Sequence, residues 1–149
     1  MEQINELQEI KVSYKKNFKG ATVRDSQTAF ESVLEAYRKD DAQLEMKEYF
    51  YVIYLNRANE VIGYYRLSEG GVSGTIVDIR IAFSVALKSI ASGIILVHNH
   101  PSQNLKPSLP DKRITEKFRE AGELLEVRVL DHIIISSTEF YSFADNGLL

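Results

Sequence analysis

Ile94-Ile95-Leu96-Val97-His98-Asn99-His100-Pro101 is an aliphatic run that ends in two histidines and a proline. Four consecutive apolar residues, opened by Gly93, predict a short strand buried on both faces. That strand delivers the chain into His98-Asn99-His100. In extended backbone residues i and i+2 point the same way, so the two imidazoles can converge on one ion. Residues 98–110 hold all three prolines of the chain and show no periodicity, so they read as a stiff loop. Asp111, eleven residues after His100, can return a hard oxygen ligand across that loop. Two imidazoles and one carboxylate leave one tetrahedral position open, the donor set of a catalytic zinc site, although other divalent cations suit it too.

Outward from this run, Ser108-Leu109-Pro110-Asp111 also matches a helix start, with Ser as cap and an acid three residues on. Ile114, Phe118, Ala121 and Leu125 continue it as a helix over 111–125. Val127–Ile135 reads as a strand and Phe140–Phe143 as a last short one. Upstream, Ala82, Val85, Ala86 and Ile90 predict a helix over 81–91 that Gly93 ends, preceded by a loop at 68–74 and a short strand at 75–79. Glu48–Leu55 is aromatic and β-branched, a strand buried on both faces. Asn56–Asn59 supplies a turn, and Val61–Leu67 returns as the second strand of a hairpin. Ser26 reads as the N-cap of an amphipathic helix over 27–39, with Phe30, Val33, Leu34 and Tyr37 on one face. Helices and strands mixed irregularly around one hairpin predict an α/β protein of α+β type, a mixed β-sheet flanked by helices.

The 149 residues suit one compact domain, and 44% hydrophobic with 26% charged residues is a globular balance. A net charge of −3 excludes the global positive field of a non-specific nucleic-acid binder. A local basic cluster, Lys11, Lys15, Lys16, Lys19 and Arg24, marks residues 1–25 as an arm or extra strand, either a solvated face or a contact for an acidic partner or nucleic acid. With no cysteine there are no thiolate ligands and no cysteine nucleophile. The start resembles no signal peptide, and no apolar stretch nears the ~20 residues of a membrane span, so a cytoplasmic protein without membrane contact is expected.

A metal hydrolase also needs a general base. Glu48, at the head of an apolar strand, is the leading candidate, with Glu45, Glu60 and Glu69 as alternatives. His132 and its neighbour Asp131 read as hydrogen-bonded strand residues rather than ligands.

His98-x-His100-Pro101 followed by Ser108-x-x-Asp111 is similar to the signature of JAMM (JAB/MPN) metalloproteases. The wider text, Ile95–Ser102, Pro107-Ser108, Val129–Ile135, Tyr141-Ser142-Phe143 and Gly147–Leu149, resembles the RadC branch, long labelled a DNA repair protein, over residues 26–149. The resemblance implies a JAB/MPN, cytidine-deaminase-like architecture with one Zn2+ per chain on His98, His100 and Asp111. It also implies Glu48 as the catalytic glutamate and Ser108 as the group that orients water or stabilises an oxyanion. The reaction implied is hydrolysis of a peptide or isopeptide bond in a protein or peptide substrate. A RadC-like DNA-repair accessory or nuclease and a non-catalytic JAB/MPN interaction module are the alternatives. The letters His98-Asn99-His100 are not the HNH nuclease motif, whose residues are dispersed along the chain. Residues 1–25 are too short for the helical N-terminal domain of longer members, which leaves DNA association from that source without support. Gln103 stands where RadC proteins usually carry Gly, so a loop of different backbone and width is expected. Tyrosine-rich strands and exposed sheet edges would permit a homodimer.

Overall fold

A computed structural model describes residues 7–15, 20–70 and 76–149. The described elements are α1 (Ser26–Lys39), β1 (Tyr49–Leu55), β2 (Val61–Glu69), α2 (Ile79–Lys88), β3 (Gly93–Asn99), α3 (Leu109–Leu125), β4 (Arg128–Ile135) and β5 (Phe140–Ser142). The strands form one sheet in the order β2-β1-β3-β4-β5. Only the β3–β4 pair is parallel; β1–β2, β1–β3 and β4–β5 are antiparallel. The sheet is mixed and the domain α+β, as the element pattern predicts.

Of the three interior strands, β1 and β3 are buried along their whole length because helices cover both faces of the sheet. Tyr49, Tyr51, Ile53, Leu55, Ile95, Val97, Ile133 and Ile135 face α1, which contributes Ala29, Phe30, Val33, Ala36 and Tyr37. Phe50, Val52, Tyr54, Ile94 and Leu96 face the other way, against Ala82, Phe83 and Ala86 of α2 and Phe118 of α3. This alternation with period two puts His98 on the α2/α3 side and Asn99 on the α1 side. Gly122 lets α3 approach β4: a Cβ there would meet the Val127 carbonyl oxygen at 2.3 Å.

Several local expectations are corrected. Asp25, not Ser26, caps α1, in a capping box with Thr28, because its carboxylate reaches the Thr28 amide at 2.8 Å. The short strand expected at 75–79 is absent among the described residues there. Asp78 instead caps α2 through the Arg80 amide, so the helix starts at Ile79; Thr75 lies outside the described residues. That helix ends at Lys88, before Gly93, which opens β3. Ile90 sits at φ 55° and is 80% exposed, so Ala82, Phe83 and Ala86 form the buried stripe. The loop expected from Ser68 starts later, since β2 runs to Glu69; residues 71–74 lie outside the described residues. β3 runs on through His98 and Asn99, and α3 begins at Leu109, which shortens the predicted loop at both ends.

Before α1, Thr22 bridges Glu60, with the Val61 amide donating to Ala21 and the Val23 amide to Asn59, both at 2.8 Å. Among the described residues no helix is long and apolar enough to cross a membrane.

Candidate metal centre

The end of β3 and the start of α3 meet on the α2/α3 side of the sheet. His98, one residue before the end of β3, is 1% exposed, its ring stacked on Phe50 at 5.9 Å. His100 follows it, and His98 Nε2 lies 3.1 Å from His100 Nε2. Asp111 arrives from the first turn of α3 with Oδ1 3.2 Å from His98 Nε2 and Oδ2 3.0 Å from His100 Nε2. Its position is set by a capping box: the Asp111 amide donates to Ser108 Oγ at 3.1 Å, and the Ser108 amide donates to Asp111 Oδ2 at 2.8 Å. The helix cap and the candidate ligand are therefore one carboxylate used twice.

Glu48, immediately before β1, completes the group: ligand atoms of Glu48, His98, His100 and Asp111 all lie within 4.8 Å of one another. Glu45 lines the same cleft but is not in that cluster. Glu60 stands at the β1–β2 turn beside Asn56, and Glu69 pairs with Lys47 at 2.8 Å. The cleft, about 860 Å³, has Phe50, Ile76, Val77 and Ile114 on its apolar side.

This donor set fits a divalent cation. Bonds of about 2.0–2.1 Å to a tetrahedral ion place ligand atoms about 3.3 Å apart, close to the separations among His98, His100 and Asp111. The His100 Nδ1 lies 2.7 Å from the Asn104 carbonyl oxygen, which can only accept, so the proton sits on Nδ1 and Nε2 is free to ligate.

The electrostatics follow from the crowding. Burial pushes the Asp111 carboxyl up, but its pairing with the His100 and His98 imidazoles, which favours their protonated forms, outweighs burial and holds the group well below the ordinary carboxylate range. The same pairing with the Asp111 carboxylate raises His100 against the opposing effect of burial. Burial raises Glu48, and the two histidines only partly offset it.

Around the centre the structure shows partners that residue patterns missed. Asn99, between the two histidines, is fully buried on the opposite face. It accepts from the Tyr49 amide and donates to the Leu44 and Lys47 carbonyls, fixing the segment that carries Glu48. Gln103 takes φ 66°, the left-handed conformation a glycine adopts readily, so its side chain coexists with a glycine-like backbone. That side chain donates to the Leu44 carbonyl and accepts from the amide and hydroxyl of Ser137. His132 is fully buried and hydrogen-bonded, as read, but its partner is His98: Nε2 lies 2.7 Å from His98 Nδ1. Burial, with His98 acting in the same direction, drives its pKa well below the usual histidine value. Asp131 is structural, accepting from Ser142 Oγ and the His132 and Ala144 amides. In the basic cluster Lys11, Lys15 and Arg24 are exposed, and Lys16 and Lys19 lie outside the described residues.

A three-layer mixed sheet that presents this cluster at the end of a central strand has the make-up of a JAB-type domain. Residues 23–148 match the RadC-like JAB domain, and the chain belongs to that family. It is 52% identical to a UPF0758 protein of Flavobacterium johnsoniae over 101 residues, 68% of this chain and 44% of that protein. It is 45% identical to a UPF0758 protein of Pelobacter propionicus over 103 residues, 69% of this chain and 45% of that protein. The chain thus spans less than half the length of these relatives.

Proposed function

We propose that the domain is a zinc-dependent hydrolase of peptide or isopeptide bonds, with one ion per chain held by His98, His100 and Asp111. The observation that supports it most is the company Glu48 keeps. A half-buried carboxylate with a raised pKa stands beside three ligand atoms spaced for one cation, in a cleft open to substrate. A divalent cation there supplies Lewis-acid polarisation and lowers the pKa of water from about 16 toward 7.

The chain's own residues supply the rest. Glu48 takes a proton from the attacking water on a carboxylate oxygen and returns it to the amine nitrogen as the C–N bond breaks. A raised pKa makes the carboxylate a better base for the first transfer and, by moving toward the working pH, keeps the protonated form accessible for the second. Ser108 Oγ accepts from the Asp111 amide and so keeps its own O–H to donate to the developing oxyanion. The apolar side of the cleft excludes water around these groups, which strengthens each charge interaction.

Zinc-loaded protein should cleave members of a mixed peptide library, and Glu48→Gln should bind zinc yet lose turnover by at least about 100-fold. Unchanged turnover in that variant would remove Glu48 from the mechanism. DNA cleavage or salt-dependent DNA binding without amide cleavage would favour the nucleic-acid reading, which exposed Lys11, Lys15 and Arg24 support.

A further inference from the structure

His132 and Thr115 lie outside the catalytic group, yet they form a hydrogen-bonded chain that ends on it. Thr115 Oγ1 is 2.7 Å from the Asp111 carbonyl oxygen and 2.5 Å from His132 Nδ1. His132 Nε2 is in turn 2.7 Å from His98 Nδ1. All three side chains are buried, at 3%, 0% and 1% exposure, so water does not compete for these bonds. The His132 ring is stacked on Phe143 at 4.6 Å and meets the edge of Phe50 at 5.6 Å, and a 180° flip would put carbons where its nitrogens now face Thr115 and His98.

The direction of the chain follows from one atom that cannot donate. A carbonyl oxygen only accepts, so at 2.7 Å the hydroxyl proton of Thr115 points to Asp111. Were it turned toward His132, two oxygens would face each other at that distance with no hydrogen between them. A hydroxyl has one proton, so Thr115 must accept from His132, which carries its proton on Nδ1. His132 Nε2 is then an acceptor, and His98 must donate to it from Nδ1. The lone pair of His98 is left on Nε2, the atom that faces Asp111 and His100.

We propose that Thr115 and His132 are positioning residues that hold His98 in the tautomer whose Nε2 lone pair faces the Glu48–His100–Asp111 cluster. The relay opposes a real competitor. Asp111 Oδ1, 3.2 Å from His98 Nε2, would by itself draw the proton onto Nε2 and block that nitrogen as a ligand. The consequence for metal binding rests on the reading given under Proposed function; the tautomer does not.

Two measurements test it separately. In metal-free wild-type protein at mildly alkaline pH, long-range proton–nitrogen NMR of the imidazole rings should show the proton of both His98 and His132 on Nδ1. A proton on His98 Nε2 would overturn the proposal. Zinc affinity, by competition with a chromophoric chelator, should fall about 10- to 100-fold in Thr115→Val and return to near wild type in Thr115→Ser. Folded Thr115→Val that binds zinc as wild type does would also overturn it. Should Thr115→Val fail to fold, the wild-type spectrum decides. A wild type with both protons on Nδ1 that binds no zinc supports the relay and contradicts the metal reading alone.

Discussion

The side chain of Asn99 accepts a hydrogen bond from the backbone amide of Tyr49 at 2.9 Å, tying the residue between the two site histidines to the residue after Glu48. Asn99 also donates to the Leu44 and Lys47 carbonyls, each at 2.8 Å. One buried amide thus registers two parts of the site that are 50 residues apart in sequence. Asn99→Ala leaves three backbone groups without that partner. It should lower stability by about 2–4 kcal/mol, read by chemical denaturation, and loosen Glu48 more than the histidines. Zinc binding that survives in the folded fraction while turnover falls would locate the damage at Glu48.

Glu48 makes the metal-free site less stable at neutral pH. Its pKa is raised on folding, chiefly by burial, so the folded chain holds the proton more tightly than the unfolded chain. Stability therefore falls as pH rises from the ordinary glutamate value, about 4.3, through the folded value. Metal-free Glu48→Gln should melt above metal-free wild type at neutral pH, with the advantage disappearing at low pH. Equal melting temperatures across the range would contradict the raised pKa.

Gln103 combines a strained backbone with three stabilising contacts. Gln103→Ala keeps the strain at φ 66° and removes the bonds to Leu44 and Ser137, so a loss of about 1–2 kcal/mol is expected. Gln103→Gly loses the same bonds but relieves the left-handed strain, and should recover about 0.5–1 kcal/mol of that loss. Thermal denaturation of the two variants in parallel gives the difference directly; alanine as stable as glycine would show that the strain is absent.

What could be read in advance was local. The seven apolar residues of β1 and the Ser108–Asp111 start of α3 each announce their structure within a few neighbours. Short apolar segments were less decisive. Val77 and Ile79 alternate like a strand, but the carboxylate of Asp78 between them caps a helix. Ile90 continues the helical spacing of α2 yet lies beyond its end, because spacing does not reveal where the backbone turns left-handed. The spacing of His98, His100 and Asp111 was legible for the same local reason: one strand end and one helix start carry all three. The partners of that group were not. Asn99 with Tyr49, Gln103 with Ser137, and His132 with His98 depend on β1, β3 and β4 lying side by side. No periodicity within any one strand reports the register of its neighbours.

The central claim is that His98, His100 and Asp111 hold one metal ion, and elemental analysis tests it most directly. Protein purified without chelator or histidine tag should be measured beside Asp111→Ala, with circular dichroism to establish that both are folded. The account predicts about one zinc per chain in the wild type and little in the variant, since metal binding needs the full donor set. A folded wild type that takes up no metal even when zinc is supplied would contradict it, and so would a variant that keeps the metal undiminished.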